Sequence, residues 1–265
     1  MRDLFLYLFL SVLSVQCFAE QTYVYRADTR YLSDIKNKGG FISPGDNKDI
    51  LSHADGISCY AAGEQMITEG SRFISTSMSR DFAIDWGREL ASQTPHGYVL
   101  YYVYEIRPEQ NMYRLIESLN DWIRHFKLNP VYNNDAIIAA LERATSRYED
   151  QQEVIADRLI NFNQIRQVWV YRIGPDTNDE PVFIRNEINP DYIDAATNIN
   201  PSPYMQYVVP NLSNSQSVTL SSCDSCLSLL SSQSRRKIGS NIRVGENLPK
   251  KIAHCRLLFN YLFFQ

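Results

Sequence analysis

The apolar residues between residues 22 and 175 follow two spacings, one typical of β-strands and one typical of helices. The strongest strand is predicted over Tyr98–Ile106, where almost continuous apolar residues indicate burial on both faces. A helix is predicted from Asn134 to Tyr148, because its apolar residues recur three and four positions apart. The other predicted strands are Thr22–Arg26, Arg72–Thr76 and Gln164–Ile173, and the other predicted helices are Ser33–Lys38, Ser79–Ala91 and Leu115–Phe126. Together they predict a compact α+β domain.

Local signals mark two helix ends and one turn-rich segment. Gly39 and Gly40 end the first predicted helix, because glycine pairs stop helices. Ser79 is a suitable N-cap for the helix that follows it, since its hydroxyl can accept from a backbone N–H of the first turn. The segment His53–Cys59 is rich in turn-forming residues, and we predict a loop there.

The first 19 residues have the pattern of a secretory signal peptide. Arg2 precedes an apolar run from Leu4 to Val15, and the small residues Cys17 and Ala19 precede a predicted cut at Glu20. A membrane anchor would need about 20 apolar residues, and this run has only about 12. We therefore expect export to the periplasm and beyond, with residues 1–19 removed.

Beyond Gly174 the sequence becomes polar and turn-rich. Turn signals at Gly174-Pro175-Asp176 and Asn200-Pro201-Ser202-Pro203 precede a Ser-rich stretch, so a looser region is predicted to begin near residues 175–200. We therefore expect three parts: the signal peptide, a folded domain over residues 20–200 and a C-terminal region over residues 201–265.

Composition narrows the possible partners. The formal net charge is −4, with 44% hydrophobic residues, which fits an ordinary globular protein. Without a strongly basic face to neutralise phosphates, nucleic acid is not expected as a partner.

The cysteine count favours disulfide bonds over a metal site. If Cys17 leaves with the signal peptide, Cys59, Cys223, Cys226 and Cys255 remain, an even number in an oxidising compartment. The spacing of Cys223 and Cys226 could supply half of a zinc site, but no second Cys or His pair at metal spacing accompanies it. The three possible pairings stay open.

Three short segments carry the candidate chemistry: Tyr25-Arg26-Ala27-Asp28, Ser75-Thr76-Ser77 and Gln151-Gln152-Glu153. In this order, about 50 and then about 75 residues apart, they resemble the NAD-binding and catalytic elements of bacterial ADP-ribosyltransferase toxins, above all the pertussis and cholera toxin group. The resemblance covers roughly residues 22–230. It implies an α+β fold in which a mixed β core with flanking helices surrounds an NAD cleft, followed by a C-terminal extension. It also implies NAD as a substrate and no metal.

The third segment supplies the candidate catalytic carboxylate. Breaking the bond between nicotinamide and ribose builds positive charge at the anomeric carbon, which a nearby carboxylate stabilises. The resemblance implies that Glu153 is this carboxylate and that it also hydrogen-bonds a ribose hydroxyl. Gln151 lies two positions earlier, and in an extended loop this spacing would project both side chains to one side. Relatives that modify arginine typically have a glutamate at the position of Gln151, so Gln151 argues against an arginine acceptor.

The first segment supplies the candidate contacts to the NAD pyrophosphate. A guanidinium can hold a pyrophosphate through paired donors, and the resemblance implies that Arg26 does so, with Tyr25 and Asp28 beside it in the cofactor-binding group. The alternative is an arginine at a strand end that only pairs with Asp28. Arg30 is a less favoured substitute for Arg26.

The middle segment and one histidine complete the predicted site. The hydroxyls of Ser75, Thr76 and Ser77 can bond across to the strand that carries Glu153, and the resemblance implies that Ser75 orients Glu153. His53 either helps to activate the acceptor or position the ribose, or is a loop histidine without a catalytic role. Pro44 departs from the pertussis pattern, which has a tryptophan at that position.

The resemblance also suggests how the protein is delivered. It implies a disulfide from Cys59 to Cys223 or Cys226, and Arg235-Arg236-Lys237 is a candidate protease site on an exposed loop. Ile252–Phe264 is basic and then apolar, and is too short to span a bilayer. We expect this tail to insert into a pentameric ring of B subunits, the alternative being a terminal element packed on its own domain. The sequence ends without an endoplasmic-reticulum retention signal.

Together these features predict a secreted A subunit of an A–B toxin that acts as a virulence factor in the host cytosol. It is expected to transfer ADP-ribose from NAD to a host protein, by family analogy the α subunit of a heterotrimeric G protein. Two other interpretations stay open. One is a secreted NAD glycohydrolase that uses water as the acceptor, and the other is a non-enzymatic binding or assembly module.

Overall fold

A computed structural model describes residues 22–55, 70–92, 99–129, 131, 134–174, 180–210 and 212. Several predicted features lie outside these residues: the signal peptide, the cysteines Cys59, Cys223, Cys226 and Cys255, the Arg235-Arg236-Lys237 sequence and the tail Ile252–Phe264. In the described part of the chain, no helix is long and apolar enough to cross a bilayer.

The described strands form two antiparallel sheets. The strands are β1 (Val24–Asp28), β2 (Gly40–Ile42), β3 (Phe73–Ser77), β4 (Val99–Ile106), β5 (Met112–Arg114), β6 (Glu153–Asp157), β7 (Leu159–Asn161), β8 (Ile165–Ile173) and β9 (Val182–Ile188). Seven strands form one sheet in the order β5-β6-β3-β1-β4-β8-β9, and β2 pairs with β7 in a second sheet. Strands distant in sequence thus become neighbours, which brings the three candidate segments together.

Five described helices flank the strands. They are α1 (Leu32–Asn37), α2 (Ile50–Ala54), α3 (Arg80–Ser92), α4 (Leu115–Leu128) and α5 (Asp135–Tyr148). Each strand and helix predicted from the spacing of apolar residues is present, with ends within two residues of those expected. The Ser79 cap is also confirmed, because its Oγ accepts from the N–H of Phe82 at 3.1 Å.

The short helix α2 corrects the loop predicted around His53. Asp49 caps α2 by accepting from the N–H groups of Leu51 and Ser52, at 2.9 and 3.2 Å. All five residues of α2 are buried, so His53 belongs to the core rather than to a surface loop.

The second half of β4 is buried on both faces, as its apolar sequence predicts, whereas Leu100 near its start is 41% exposed. Tyr101 and Val103 pack with α3, whereas Tyr104 and Ile106 belong to the core on the other side. Alternate side chains of a strand point to opposite faces, which explains this division.

Strands β1 and β3 pair over a single residue pair. β1 is in register with β4 over five pairs, from Val24↔Ile106 to Asp28↔Tyr102, but with β3 only at Tyr25↔Ser77. The two strands separate beyond this pair, so the backbone N–H and C=O groups there need hydrogen-bond partners other than the neighbouring strand.

The region predicted to loosen after residues 175–200 instead continues the packed domain. β9 pairs with β8, and Tyr204 further along is almost completely buried. The Tyr204 carbonyl accepts from Trp122 Nε1 at 2.9 Å, and its N–H donates to Ser118 Oγ at 2.9 Å. The buried ring of Tyr204 and its two backbone hydrogen bonds thus anchor this proline-containing segment to the domain. The packed unit therefore extends past the boundary predicted at residue 200.

Replacing Gly87 by alanine should destabilise the fold. A Cβ at position 87 would lie 2.2 Å from Cδ2 of Tyr101 and 3.2 Å from the Cβ of Ala27. The Tyr101 ring is fully buried and stacked on Tyr171, so it cannot move aside. At an exposed helix position the same change stabilises by about 1 kcal/mol. Here we expect a loss of about 1–3 kcal/mol in the free energy of unfolding, measured with urea.

A Tyr101→Leu background provides the control for this prediction. If the clash with the ring causes the loss, Gly87→Ala should cost less in that background. An equal cost in both backgrounds would show that the close approach to Tyr101 is not the cause.

Candidate active site

Glu153 is a buried carboxylate at the start of β6. A 3₁₀ turn over Glu149–Gln151 precedes it, and Gln152 has a left-handed backbone with φ of 47°. The segment is therefore a tight turn rather than the extended loop predicted for Gln151 and Glu153. Glu153 is only 2% exposed, and neither of its carboxylate oxygens has a hydrogen-bond partner. A buried charged group without hydrogen bonds is costly, and such a cost is typical of a functional site.

His53 is the nearest titratable neighbour of Glu153. Its Nε2 lies 3.4 Å from Glu153 Oε1 and 3.1 Å from Ser75 Oγ, and its Nδ1 lies 2.7 Å from Ser71 Oγ. Ser71 Oγ also accepts from the N–H of Phe73 at 3.0 Å. Ser71 can therefore donate its own proton to Nδ1, which leaves the proton of a neutral ring on Nε2, the atom that is hydrogen-bonded to Ser75 Oγ. This arrangement favours one tautomer of His53.

Two hydroxyls of β3 fasten it to the segment that carries Glu153. Thr76 Oγ1 donates to the Val154 carbonyl at 2.6 Å, and Ser77 Oγ donates to the Gln151 carbonyl at 2.7 Å. The predicted bracing between these segments is confirmed. Ser75 acts differently, because its hydroxyl contacts His53, and His53 lies between it and Glu153.

Arg26 crosses the gap where β1 and β3 separate. Its Nη1 donates to the Ser75 carbonyl at 2.8 Å, and its guanidinium lies 5.2 Å from the centre of the Phe41 ring. Burial lowers the pKa of Arg26, while Asp28 and, more weakly, Glu153 act to raise it. Arg26 Nε is buried without a hydrogen-bond partner and lies 3.6 Å from Asp28 Oδ2.

Asp28 is bound mainly by Arg30. Its two carboxylate oxygens accept from Arg30 Nε at 2.9 Å and from Arg30 Nη2 at 2.7 Å, whereas Arg26 Nε is 3.6 Å away. Burial acts to raise the pKa of Asp28, but the hydrogen bonds and charge of Arg30 hold it below its usual value. Asp28 is therefore an ionised anchor for this pair of arginines, and Arg30 rather than Arg26 is its principal partner.

Tyr25 does not join the other candidate residues. Its ring centre lies 5.8 Å from that of Trp169, and it packs with the cluster that contains α3. Arg26 follows it in β1 and points to the other face, as alternation along a strand requires. Burial raises the pKa of the Tyr25 hydroxyl, followed by the charge of Glu105. The Tyr25 side chain therefore lies apart from the other candidate residues, and its contact with the cofactor stays a prediction.

Ser71 and Phe41 also belong to the site, and sequence reasoning missed both. Their contacts to His53 and Arg26 depend on tertiary packing, and neither residue lies in a recognisable motif. Gln151 joins through its carbonyl, while its side-chain Oε1 is buried without a partner.

The unpartnered buried polar atoms are concentrated at this site. Among the residues that the structure describes, seven side-chain atoms are of this kind, and five of them lie in or next to the predicted motifs: Arg26 Nε, Thr29 Oγ1, Gln151 Oε1, Glu153 Oε1 and Glu153 Oε2. Buried polar groups normally have partners, so this concentration indicates a polar ligand. Within the same described ranges, no group of three or more His, Cys, Asp or Glu side chains could hold a metal ion.

Comparison with known proteins identifies relatives of the chain. The profile of the family described as heat-labile enterotoxin alpha chain matches residues 4–143, just over half of the 265 residues. Pertussis toxin subunit 1 of Bordetella pertussis is 30% identical over 192 residues, and a homolog from Bordetella bronchiseptica is 30% identical over 196 residues. Each alignment covers 68% of this chain and 64% of the relative, so the chain spans about two thirds of their length at most.

Solved structures support the fold. EcPltA superposes with a TM-score of 0.57 at 22% identity, covering 73% of this chain and 99% of that one. Full-length CARDS toxin superposes with a TM-score of 0.54 at 22% identity, covering 71% of this chain and 32% of that one. The predicted fold class, α+β with the ADP-ribosyltransferase toxin fold, is confirmed.

Removing the Ser71 hydroxyl should destabilise the protein through His53. In Ser71→Ala, His53 Nδ1 and the N–H of Phe73 each lose a partner in a buried setting. We expect a loss of about 1–3 kcal/mol in the free energy of unfolding, measured with urea. The control is Ser33→Ala, an exposed position in α1, which should change stability by no more than about 0.5 kcal/mol. Equal effects of the two changes would contradict the role assigned to Ser71.

Proposed function

Because the chain belongs to the heat-labile enterotoxin alpha chain family, we propose that it is the enzymatic A subunit of an A–B toxin. In this proposal it transfers ADP-ribose from NAD to a host protein. The observation that carries the proposal is the buried Glu153 carboxylate, which has no hydrogen bond and lies beside His53. His53 in turn contacts Ser75, and Arg26 is linked to the Ser75 carbonyl. The three short motifs alone do not predict which of these side chains contact each other.

Glu153 stabilises the positive charge that develops on the ribose. As the bond from the anomeric carbon to the nicotinamide nitrogen breaks, the sugar becomes oxocarbenium-like, and nearby carboxylates stabilise such a cation. Charge interactions are stronger in a buried site than in water, so the burial of Glu153 increases its effect. An oxygen that is not already bonded within the protein is also available to a ribose hydroxyl.

Arg26 binds the pyrophosphate of NAD. Nη1 is occupied by the Ser75 carbonyl, which fixes the side chain, while Nε lacks a partner. A guanidinium fixed in this way presents its remaining donors in a plane that suits phosphate oxygens. Lysine would keep the charge but would lose the paired geometry.

His53 positions Glu153. Its ring is held by Ser71 on one side and packs edge-on against Phe73, with ring centres 5.3 Å apart. Nε2 is hydrogen-bonded to Ser75 Oγ at 3.1 Å and lies 3.4 Å from Glu153 Oε1. The fixed ring therefore limits where the carboxylate can lie, without a bond to the scissile atoms.

The acceptor and the mode of delivery are proposed by analogy with the family. We propose that the acceptor is the α subunit of a heterotrimeric G protein in the host cytosol and that, given Gln151, the modified residue is not an arginine. We further propose that the protein is secreted and that the tail Ile252–Phe264 joins it to a ring of B subunits. A disulfide from Cys59 to Cys223 or Cys226 would hold the C-terminal region until it is reduced.

Replacing Glu153 by glutamine should abolish transfer. The reduced mature protein is incubated with labelled NAD and host-cell lysate, beside Glu153→Gln and the control Glu149→Gln. Glu149 is an exposed carboxylate four residues away in the same turn, so it tests for a general effect of charge. We expect a labelled protein band that falls at least about 100-fold in Glu153→Gln and is unchanged in Glu149→Gln.

Other outcomes of this experiment would revise the proposal. Release of nicotinamide that depends on Glu153, without any labelled band, would favour an NAD glycohydrolase. Equal activity in Glu153→Gln and the unaltered protein would remove Glu153 from the mechanism. Absence of both signals would favour a non-enzymatic module.

The labelled residue of the acceptor is the second test. Mass spectrometry of peptides from the labelled band should locate ADP-ribose on a side chain other than arginine, because Gln151 replaces the glutamate typical of arginine-directed relatives. ADP-ribose on an arginine would contradict the assignment of specificity to Gln151.

A further inference from the structure

Strand β9 forms one edge of the seven-stranded sheet and is unusually apolar for an edge strand. Four of its seven residues are large and apolar, and they are between 39% and 73% exposed: Val182, Phe183, Ile184 and Ile188. Natural sheet edges are normally shielded by charge, proline or other structure, since a free edge can pair with another chain. Val182, Phe183 and Ile184 are adjacent, whereas Arg185, Asn186 and Glu187 separate them from Ile188. Exposed apolar residues grouped in this way are typical of an interaction surface.

The backbone of β9 presents hydrogen-bonding groups away from β8. The N–H of Asn189 donates to the Arg166 carbonyl at 3.0 Å, and the register continues through Gln167↔Ile188 and Trp169↔Asn186. Because the direction of N–H and C=O groups alternates along an antiparallel strand, those of Ile188 and Asn186 point outward. They can therefore accept an added strand.

The middle of β9 is level with the candidate active site. Arg26 pairs with Tyr104, Tyr104 with Val168, and Val168 with Glu187. A single row of residues thus crosses the sheet from the pyrophosphate-binding arginine to β9. Glu187 also accepts from the Tyr31 hydroxyl at 2.6 Å, and Tyr31 directly follows Arg30, the partner of Asp28.

We propose that β9 is the docking strand for the acceptor protein, which adds an extended apolar segment to this edge of the sheet. This inference rests on the proposed transferase function and adds the recognition of its macromolecular substrate. Main-chain hydrogen bonds to Asn186 and Ile188 hold the segment, and the exposed apolar side chains of β9 contact its own apolar residues. The register of the sheet aligns the docked segment with Arg26.

The spacing of the strands limits where the modified residue lies. Glu153, beside which the bond to nicotinamide breaks, begins β6, and an added strand is separated from β6 by six strand spacings, about 29 Å. An extended chain covers this distance in about nine residues. The modified side chain therefore lies about nine residues outside the segment that pairs with β9.

The test uses Asn186→Pro, with Asn186→Ala as the matched control. Proline removes the outward N–H and blocks strand addition, yet leaves the bonds to β8 in place. Alanine removes only the side chain, whose amide bonds to Gln167 at 3.2 Å on the surface. Two rates are measured for each full-length variant: nicotinamide release into water, and transfer of labelled ADP-ribose to purified heterotrimeric G protein. If that protein is not labelled, the acceptor found in lysate replaces it.

We expect Asn186→Pro to reduce transfer at least about tenfold while nicotinamide release changes less than about twofold. Asn186→Ala should retain both rates. Retention of transfer in Asn186→Pro would overturn the proposal, and so would equal loss of both rates with an unchanged unfolding temperature. If Asn186→Pro unfolds more easily, the same two rates are measured for Ile188→Lys, because Ile188 is the most exposed of the large apolar residues of β9. Absence of both rates in the unaltered protein would instead reject the proposed function.

Amide hydrogen exchange distinguishes the other possible occupants. In the isolated protein, the N–H groups of Asn186 and Ile188 should exchange rapidly and should slow when G protein is added. Slow exchange in the isolated protein would mean that the edge is already paired, and would overturn the proposal. The molecular mass from sedimentation would then distinguish two other occupants: a second copy of the chain would give a dimer, whereas residues 213–265 of the same chain would give a monomer.

Discussion

The separation of β1 from β3 is the constraint on which the site depends. Two neighbouring strands of a continuous sheet satisfy each other's backbone groups, but here the ladder stops after Tyr25↔Ser77. The carbonyl of Ser75 accepts from the Arg26 side chain instead. A cationic side chain thus occupies the place of a backbone donor between the two strands.

This arrangement leaves a few buried polar groups without hydrogen bonds, which lowers the free energy of unfolding. Glu153 has no hydrogen bond to offset its loss of solvent, and Arg26 Nε and Thr29 Oγ1 also lack a hydrogen-bond partner. The surrounding contacts keep these groups in place: Thr76 and Ser77 join β3 to the segment of Glu153, and Ser71 holds His53. The hydrogen bonds of these neighbouring hydroxyls therefore offset part of the cost of the unpartnered groups. A bound polar ligand would satisfy the remaining donors and acceptors.

Sequence patterns identified those parts of the fold that depend on local periodicity. β4 and α5 are long enough for their apolar spacing to be distinctive, whereas α2 has only five residues, too few to show a helical period. The motifs located Arg26, Ser75 and Glu153 because the order of the segments carries information that each segment alone lacks. Alternation along β1 could have placed Tyr25 opposite Arg26 once the strand was predicted. The contact of Ser71 with His53 had no such signal, since it arises only when α2 packs against the sheet.

The position of Tyr204 links the site to chain that lies well beyond the catalytic motifs. The Tyr204 ring packs edge-on against Phe73 at 4.8 Å, and Phe73 in turn packs against His53. These contacts join residues that are far apart in sequence, and such contacts form late because a long loop must close first. A chain that has left the ribosome only as far as Glu153 therefore still lacks the Tyr204 ring, which packs on Phe73 behind His53. The candidate site gains its full set of packing contacts only after residue 204 has also emerged.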